Sequence, residues 1–238
     1  MKRPSPLSVS AVLAGVLALS LAPGTLAQPC PETCIETPSP ARHCSSNPTG
    51  IWSGNTADGT GTGSYDLALG KAQAQSAYFA WATVDAADEY VITGPPDGTP
   101  VAITARLVLS GTMNRQCQYF GDYLLGCAGA GLSITVVDSA SSSLSYESPA
   151  SNIGLTSVSH TLELPLTKNA GQPFRLGWSV HAGSSQQSDL NIHGSANGTA
   201  TLSFQVPPGV TISSCSGYVG DVVSARPGSW GALKLRYR

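Results

Sequence analysis

Residues 101–110 read VAITARLVLS. Val101, Ile103, Ala105, Leu107 and Leu109 alternate with Ala102, Thr104, Arg106, Val108 and Ser110. Successive side chains of a strand point to opposite faces, so a period of two gives one apolar face. A helix would need apolar residues three and four apart. The stretch predicts a half-buried β-strand.

The same pattern recurs on both sides. SYDLAL sets Tyr65, Leu67 and Leu69 on one face, and LSITVV sets Leu132, Ile134 and Val136. TLELPLT gives Leu162, Leu164 and Leu166; FRLGWSV gives Phe174, Leu176, Trp178 and Val180; ATLSFQV gives Ala200, Leu202, Phe204 and Val206. TGPPDGTP, SANGT and VPPGV supply turn chemistry between the runs. LGKAQAQSAY has room for a helical turn or two at most. Many short strands, each with one apolar face, imply two packed sheets or a closed barrel. The expectation is an all-β antiparallel β-sandwich, of jelly-roll or immunoglobulin-like type.

The first 27 residues read as a secretory signal peptide. Lys2 and Arg3 precede the apolar LSVSAVLAGVLALSLA, and PGTLA places small residues before a cut after Ala27. The apolar run is too short for a membrane span, so the mature chain is expected to be soluble, secreted or held at the cell surface, with no transmembrane segment. Residues 28–63, rich in Pro, Cys, Ser, Thr and Gly, show no apolar periodicity and read as an irregular segment. Residues 64–221 form the sandwich domain of this reading, and 222–238 a linker plus a basic strand or tag.

Only 11% of the residues are charged, against about 25% in an ordinary domain. Removing Lys2 and Arg3 with the leader leaves ten cations against 14 anions. Phosphate binding draws on many cations, so nucleic acid is not an expected partner. Ser, Thr, Gly, Asn and Gln must cover most of the surface.

All six cysteines, Cys30, Cys34, Cys44, Cys117, Cys127 and Cys215, follow the leader. An even count in an exported chain implies disulfides. Cys117 and Cys127 flank QYFGDYLLG between two strong strands and predict a local bridge that staples a long loop. One N-terminal cysteine then joins Cys215, and the other two join each other. Thiolates beside His43 would suit zinc, but Cys30, Cys34 and Cys44 lack the paired short spacings of common zinc modules, so neither metal nor cofactor is expected.

No nucleophile elbow, zinc-protease helix, P-loop or dinucleotide fingerprint occurs. VDAADEY gathers Asp85, Asp88 and Glu89. Paired carboxylates serve glycoside hydrolysis, and several can hold calcium; against that, the stretch reads as a solvated bend. Asn55, Asp58 and Asp66 lie among many glycines but lack calcium-loop spacing. His181 and His193, at strand ends, could meet across a hairpin. Asn197 in NGT matches a glycosylation acceptor and also suits a turn. Tyr119, Phe120 and Tyr123 stand out: aromatic rings in a disulfide-held loop make a pre-ordered contact surface for a glycan or protein, unless they fold back onto the core.

The chain ends in SWGALKLRYR, where Leu233, Leu235 and Tyr237 alternate with Lys234, Arg236 and Arg238. That pattern fits an edge strand guarded by cations or a short address for export or surface attachment. The leading functional expectation is a secreted non-catalytic β-sandwich acting as a surface, matrix, carbohydrate-binding or protein-binding component. The alternatives are a polysaccharide-active enzyme using Asp85, Asp88 and Glu89, and a structural subunit assembling through an edge strand.

Overall fold

The structure, a computed structural model, describes residues 30–138, 143–147 and 153–220. The leader, residues 1–27, and the basic tail, residues 222–238, lie outside the described residues, so neither expectation meets the structure here.

Among the described residues the strands run as follows. The N-terminal third holds β1 (Thr33–Glu36), β2 (Arg42–Ser45), β3 (Thr49–Asn55), β4 (Gly59–Asp66) and β5 (Lys71–Tyr78). Then come β6 (Ala80–Thr93), β7 (Pro100–Phe120), β8 (Tyr123–Ala128), β9 (Ala130–Asp138) and β10 (Ser143–Glu147). Last are β11 (Gly154–Asn169), β12 (Phe174–Ser184), β13 (Gln186–Gln187), β14 (Ile192–His193), β15 (Ser195–Gln205) and β16 (Thr211–Ser214). A 3-10 turn covers Ser188–Leu190.

Two antiparallel sheets pack face to face. The first is ordered β10-β9-β12-β6-β1-β2, with β16 on the far half of β6. The second is ordered β11-β7-β15-β5-β4-β3, with β8 on the end of β7. The inward residues of the quoted stretch, Val101 to Leu109, are all buried, as are Leu132, Ile134, Val136, Leu176, Trp178 and Val180 across from them. A large apolar side chain fully buried in this way contributes about 1.5–3 kcal/mol. The alternation thus makes an antiparallel β-sandwich. Leu69 departs from it: Asp66–Gly70 turns the chain, and Leu69 is exposed.

Three disulfides brace the sandwich: Cys30–Cys215, Cys34–Cys44 and Cys117–Cys127. The first spans 185 residues and ties the start of the described chain to the segment after β16. Among the described residues no helix is long and apolar enough to cross a membrane.

Several local expectations need correction. Residues 30–63 are tied by cysteines but are not irregular: β1 and β2 extend the first sheet, β3 and β4 the second, and the 63/64 boundary falls inside β4. The reason lies in GTGTG. Gly61 and Gly63 are the inward residues of β4, and Thr60, Thr62 and Ser64 face outward. The period is two, but its buried half has no apolar side chain to reveal it. Here the sheets approach so closely that a Cβ on Gly63 would collide with Ile35 and Val84.

KAQAQSAY likewise forms no helical turn. It is β5, whose inward residues Ala72, Ala74 and Ser76 are small for the same reason. SANGT is no turn either, because it opens β15 between β5 and β7. Finally, β7 does not stop at Ser110. It runs 21 residues, about 70 Å at strand rise, and its last part leaves the sandwich.

Candidate functional site

The arm is built from that overrun. Pairing of β7 with β15 ends at Asn114, and with β11 at Arg115. From Gln116 onward β7 pairs with β8 instead, so the expected loop QYFGDYLLG is the end of a β-hairpin, closed by Gly121 and Asp122. Gly121 has φ 58°, a conformation that costs glycine little and other residues more. Cys117 and Cys127 are cross-strand partners, with Cα atoms 4.0 Å apart. An isolated hairpin is marginal in water; a bridge closing so short a loop contributes about 2–3 kcal/mol on the chain-entropy account. The root is braced as well: Gln116 Oε1 accepts the His193 backbone N–H at 3.2 Å, and Ser185 Oγ accepts that of Gly129 at 2.6 Å.

The aromatic residues do not fold back onto the core. Phe120 and Tyr123 are 76% and 79% exposed, and Tyr119, Leu124 and Leu125 about half exposed. Strand pairing sets Tyr119 opposite Leu124 and Phe120 opposite Tyr123, so both faces of the tip are apolar. Leu124 and Leu125 were not singled out by sequence, where the aromatic residues drew the eye. A shift of register at Gln118 and Tyr119, which is a β-bulge, adds Leu125 to the patch.

The carboxylate set does not form one site. VDAADEY is not a bend but the middle of β6, and alternation parts its members. Asp88 is inward and fully buried; its Oδ1 accepts the backbone N–H of Glu89 at 2.8 Å and of Ser216 at 3.3 Å. It fastens the segment carrying Cys215. Asp85 and Glu89 face outward, four residues or about 13 Å of strand apart. That exceeds the separation glycoside hydrolysis uses, about 5–9.5 Å.

Asp85 has closer company on the outer face of the first sheet. Its β1 partner is Cys34, and Glu36 and Arg42 lie beyond, 3.3 Å apart. Burial pushes the Asp85 carboxyl up from its ordinary range, the Glu36 carboxylate adds to the rise, and the Arg42 guanidinium opposes it. Beside it, Thr83 Oγ1 and His181 Nδ1 are 2.8 Å apart.

The histidines keep separate company. His193 is paired with Gln186 and its ring lies 4.5 Å from that of Tyr78, while His181 is paired with Thr83 and Ser133. β13 and the 3-10 turn lie between them and His193 sits in β14, so no hairpin sets the two opposite each other. Cys34 and Cys44 are joined, His43 stacks on Trp52 at 4.3 Å, and among the described residues no group of three or more His, Cys, Asp or Glu is placed to hold a metal.

The second sheet's outer face is a different surface. Register aligns Thr60, Ala77, Ser195, Asn114 and Leu155 in one row across five strands. The next row is Thr62, Gln75, Asn197, Thr112 and Ser157. Asn197, the acceptor of NGT, is exposed in mid-sheet, and its Oδ1 accepts the Gln73 Nε2–H at 3.0 Å. Small Ala77 and Ser195 leave a shallow depression of about 260 Å³ between the rows. Apart from Asn197, sequence reading missed these residues, because neutral side chains opposite alanine and glycine carry no apolar signal.

No known protein family matches the sequence, and no curated protein does. Among solved structures, one that resembles it is TmCBM61 in complex with beta-1,4-galactotriose, at 7% identity and a TM-score of 0.24. The resemblance covers 71% of this chain and 86% of the other. At that level it assigns no ligand to this chain.

Proposed function

We propose that the protein is an exported, non-catalytic β-sandwich that attaches to a protein partner at a surface or in a matrix through its arm. One observation carries this reading: Tyr119, Phe120, Tyr123, Leu124 and Leu125 are all exposed at the end of a disulfide-clamped hairpin. A clustered apolar patch exposed to water marks an interaction site. Aromatic anchors on a pre-ordered element lose little entropy on docking. Aliphatic Leu124 and Leu125 beside the rings, and apolar side chains on both faces, fit a protein groove better than the single flat stack of a sugar ring. Three disulfides agree with export into an oxidising compartment.

The experiment compares wild type with a Tyr119→Ser, Phe120→Ser, Tyr123→Ser variant for attachment to intact cells of the producing organism. Some cells are treated with protease and others with periodate. Wild type should bind untreated and periodate-treated cells but not protease-treated ones, and the variant should bind none. Equal attachment of variant and wild type would remove the arm from the function. Loss on periodate alone would make its partner a glycan.

Assembly through an edge strand has its own support. β11 is the terminal strand of its sheet and 16 residues long, with Glu163 and Pro165 in its second half. Charge and proline guard an edge against pairing, and its first half, Gly154–His160, has neither. Sedimentation of wild type and a Ser157→Pro variant tests this reading: a wild-type oligomer dispersed by the proline supports it, and a wild-type monomer at all concentrations rejects it.

A further inference from the structure

The outer face of the second sheet carries side chains that the arm does not use. Its central rows hold the amides Gln75, Asn114 and Asn197 and the hydroxyls of Thr60, Thr62 and Thr112, with no charged group among them. Along β4 and β5 the next ionisable residues, Asp66 and Lys71, lie two rows farther on, and beyond Thr60 Asp58 lines the adjoining hollow, with His193 against the Tyr78 ring. Amides and hydroxyls each donate and accept, which matches the paired donor and acceptor character of sugar hydroxyls.

The strands beneath are hydrogen-bonded to one another, so their backbones are taken. An extended peptide therefore finds no free edge here, and a phosphate finds no cation. A neutral ligand rich in hydroxyls is the chemistry this surface complements.

A second observation lies at one end of the depression. Thr60 also borders a neighbouring hollow formed by residues 55–60 and Tyr78. Tyr78 has φ 63°, left-handed backbone that a bulky side chain rarely adopts. Such residues persist where the surroundings hold them, and they cluster at binding sites. The backbone N–H of Tyr78 donates to Gly194 O at 3.0 Å, its ring contacts His193, and the side chain is still 47% exposed. Tyr78 thus lines, with Asp58, the hollow that meets the trough at Thr60, and exposed Leu155 closes the trough's other end.

We infer that this trough, from Leu155 and Asn114 across Ser195 and Ala77 to Thr60 and Tyr78, is a binding site for a neutral oligosaccharide. Gln75, Asn197 and Asn114 hold the ligand's hydroxyls, and the Tyr78 ring packs against the apolar face of one sugar. The site adjoins the arm's root at Asn114 but uses none of the exposed residues at the arm's tip.

The test is calorimetric titration with neutral gluco-, galacto-, manno- and xylo-oligosaccharides of four to six units, and with uronic-acid oligomers. At least one neutral series should bind and the uronic oligomers should not. A Gln75→Ala, Asn114→Ala variant should bind that series about tenfold more weakly or worse. A Ser110→Ala, Ser159→Ala control on the same face, and the arm triple variant, should bind like wild type. The site is rejected if no neutral oligosaccharide binds, if Gln75→Ala, Asn114→Ala binds like wild type, or if the arm variant abolishes binding. Loss of cell attachment by the arm variant with retention of oligosaccharide binding separates this site from the arm.

Discussion

Lys168 Nζ lies 2.8 Å from both Oδ1 and Oδ2 of Asp138, joining β11 of one sheet to the last residue of β9 in the other. The side chains are 15% and 4% exposed, and the ammonium also lies 5.5 Å from the centre of the Phe174 ring. Removing one partner of a buried ion pair leaves the other charge buried without it, at a cost of about 3–5 kcal/mol. Lys168→Met should lower unfolding free energy in urea by about that much. Lys168→Met with Asp138→Leu should recover most of it, because apolar replacement of both partners is often neutral. A single variant within about 0.5 kcal/mol of wild type would show that the pair behaves as an exposed one.

Close approach of the sheets at β4 makes a second prediction. A Cβ on Gly63 would meet Ile35, and Val84 Cγ2 at 2.9 Å. Gly63→Ala should destabilise by about 1–3 kcal/mol through overpacking. Gly131→Ala is the control, since nothing lies within 4 Å of its Cβ position; its effect should stay within about 0.5 kcal/mol. Equal denaturation midpoints for the two variants would refute the tight contact.

Acidity should act through Asp85. Burial and then Glu36 raise its carboxyl above the ordinary 3.8, with Arg42 opposing. The folded state therefore keeps a proton that the unfolded chain has released, and this group's contribution to stability falls as pH rises above 3.8. Asp85→Asn should gain stability relative to wild type between acidic and neutral pH, with the gain vanishing below 3.8. Thermal unfolding of both proteins across that range reads the difference. A constant offset at all pH values would show that Asp85 titrates as it does in the unfolded chain.

The arm should loosen without the body unfolding. In Cys117→Ser, Cys127→Ser, amides of 116–128 should exchange hydrogen about 30- to 160-fold faster, corresponding to the 2–3 kcal/mol of the lost clamp. The melting temperature of the sandwich should barely move, because the arm adds little to the core. Cell attachment should weaken with it. Unchanged exchange in the arm would mean that its root, at Gln116 and Ser185, holds it without the bridge.

The sandwich was legible wherever buried positions are large and apolar, as in 101–109, 132–136, 162–166 and 174–180, because alternation there is a statement about which face loses water. The carboxylates near Asp85 were legible as residues but not as a set. Only the strand through them sends Asp88 to the core and Asp85 to the surface.

The arm was half legible: cysteine spacing marked a stapled segment, and its aromatic residues are among those that stand exposed at its tip. Sequence by itself determined alternation and a nearly uncharged exterior, since these depend on composition and near neighbours along the chain. Tertiary structure alone decided which cysteines meet across 185 residues, that glycines can fill the buried half of a strand, and that Thr60, Gln75, Asn114 and Asn197 share one surface. Those outcomes depend on how far apart the sheets lie and on register between strands distant in sequence, and neither quantity is written in any local run of residues.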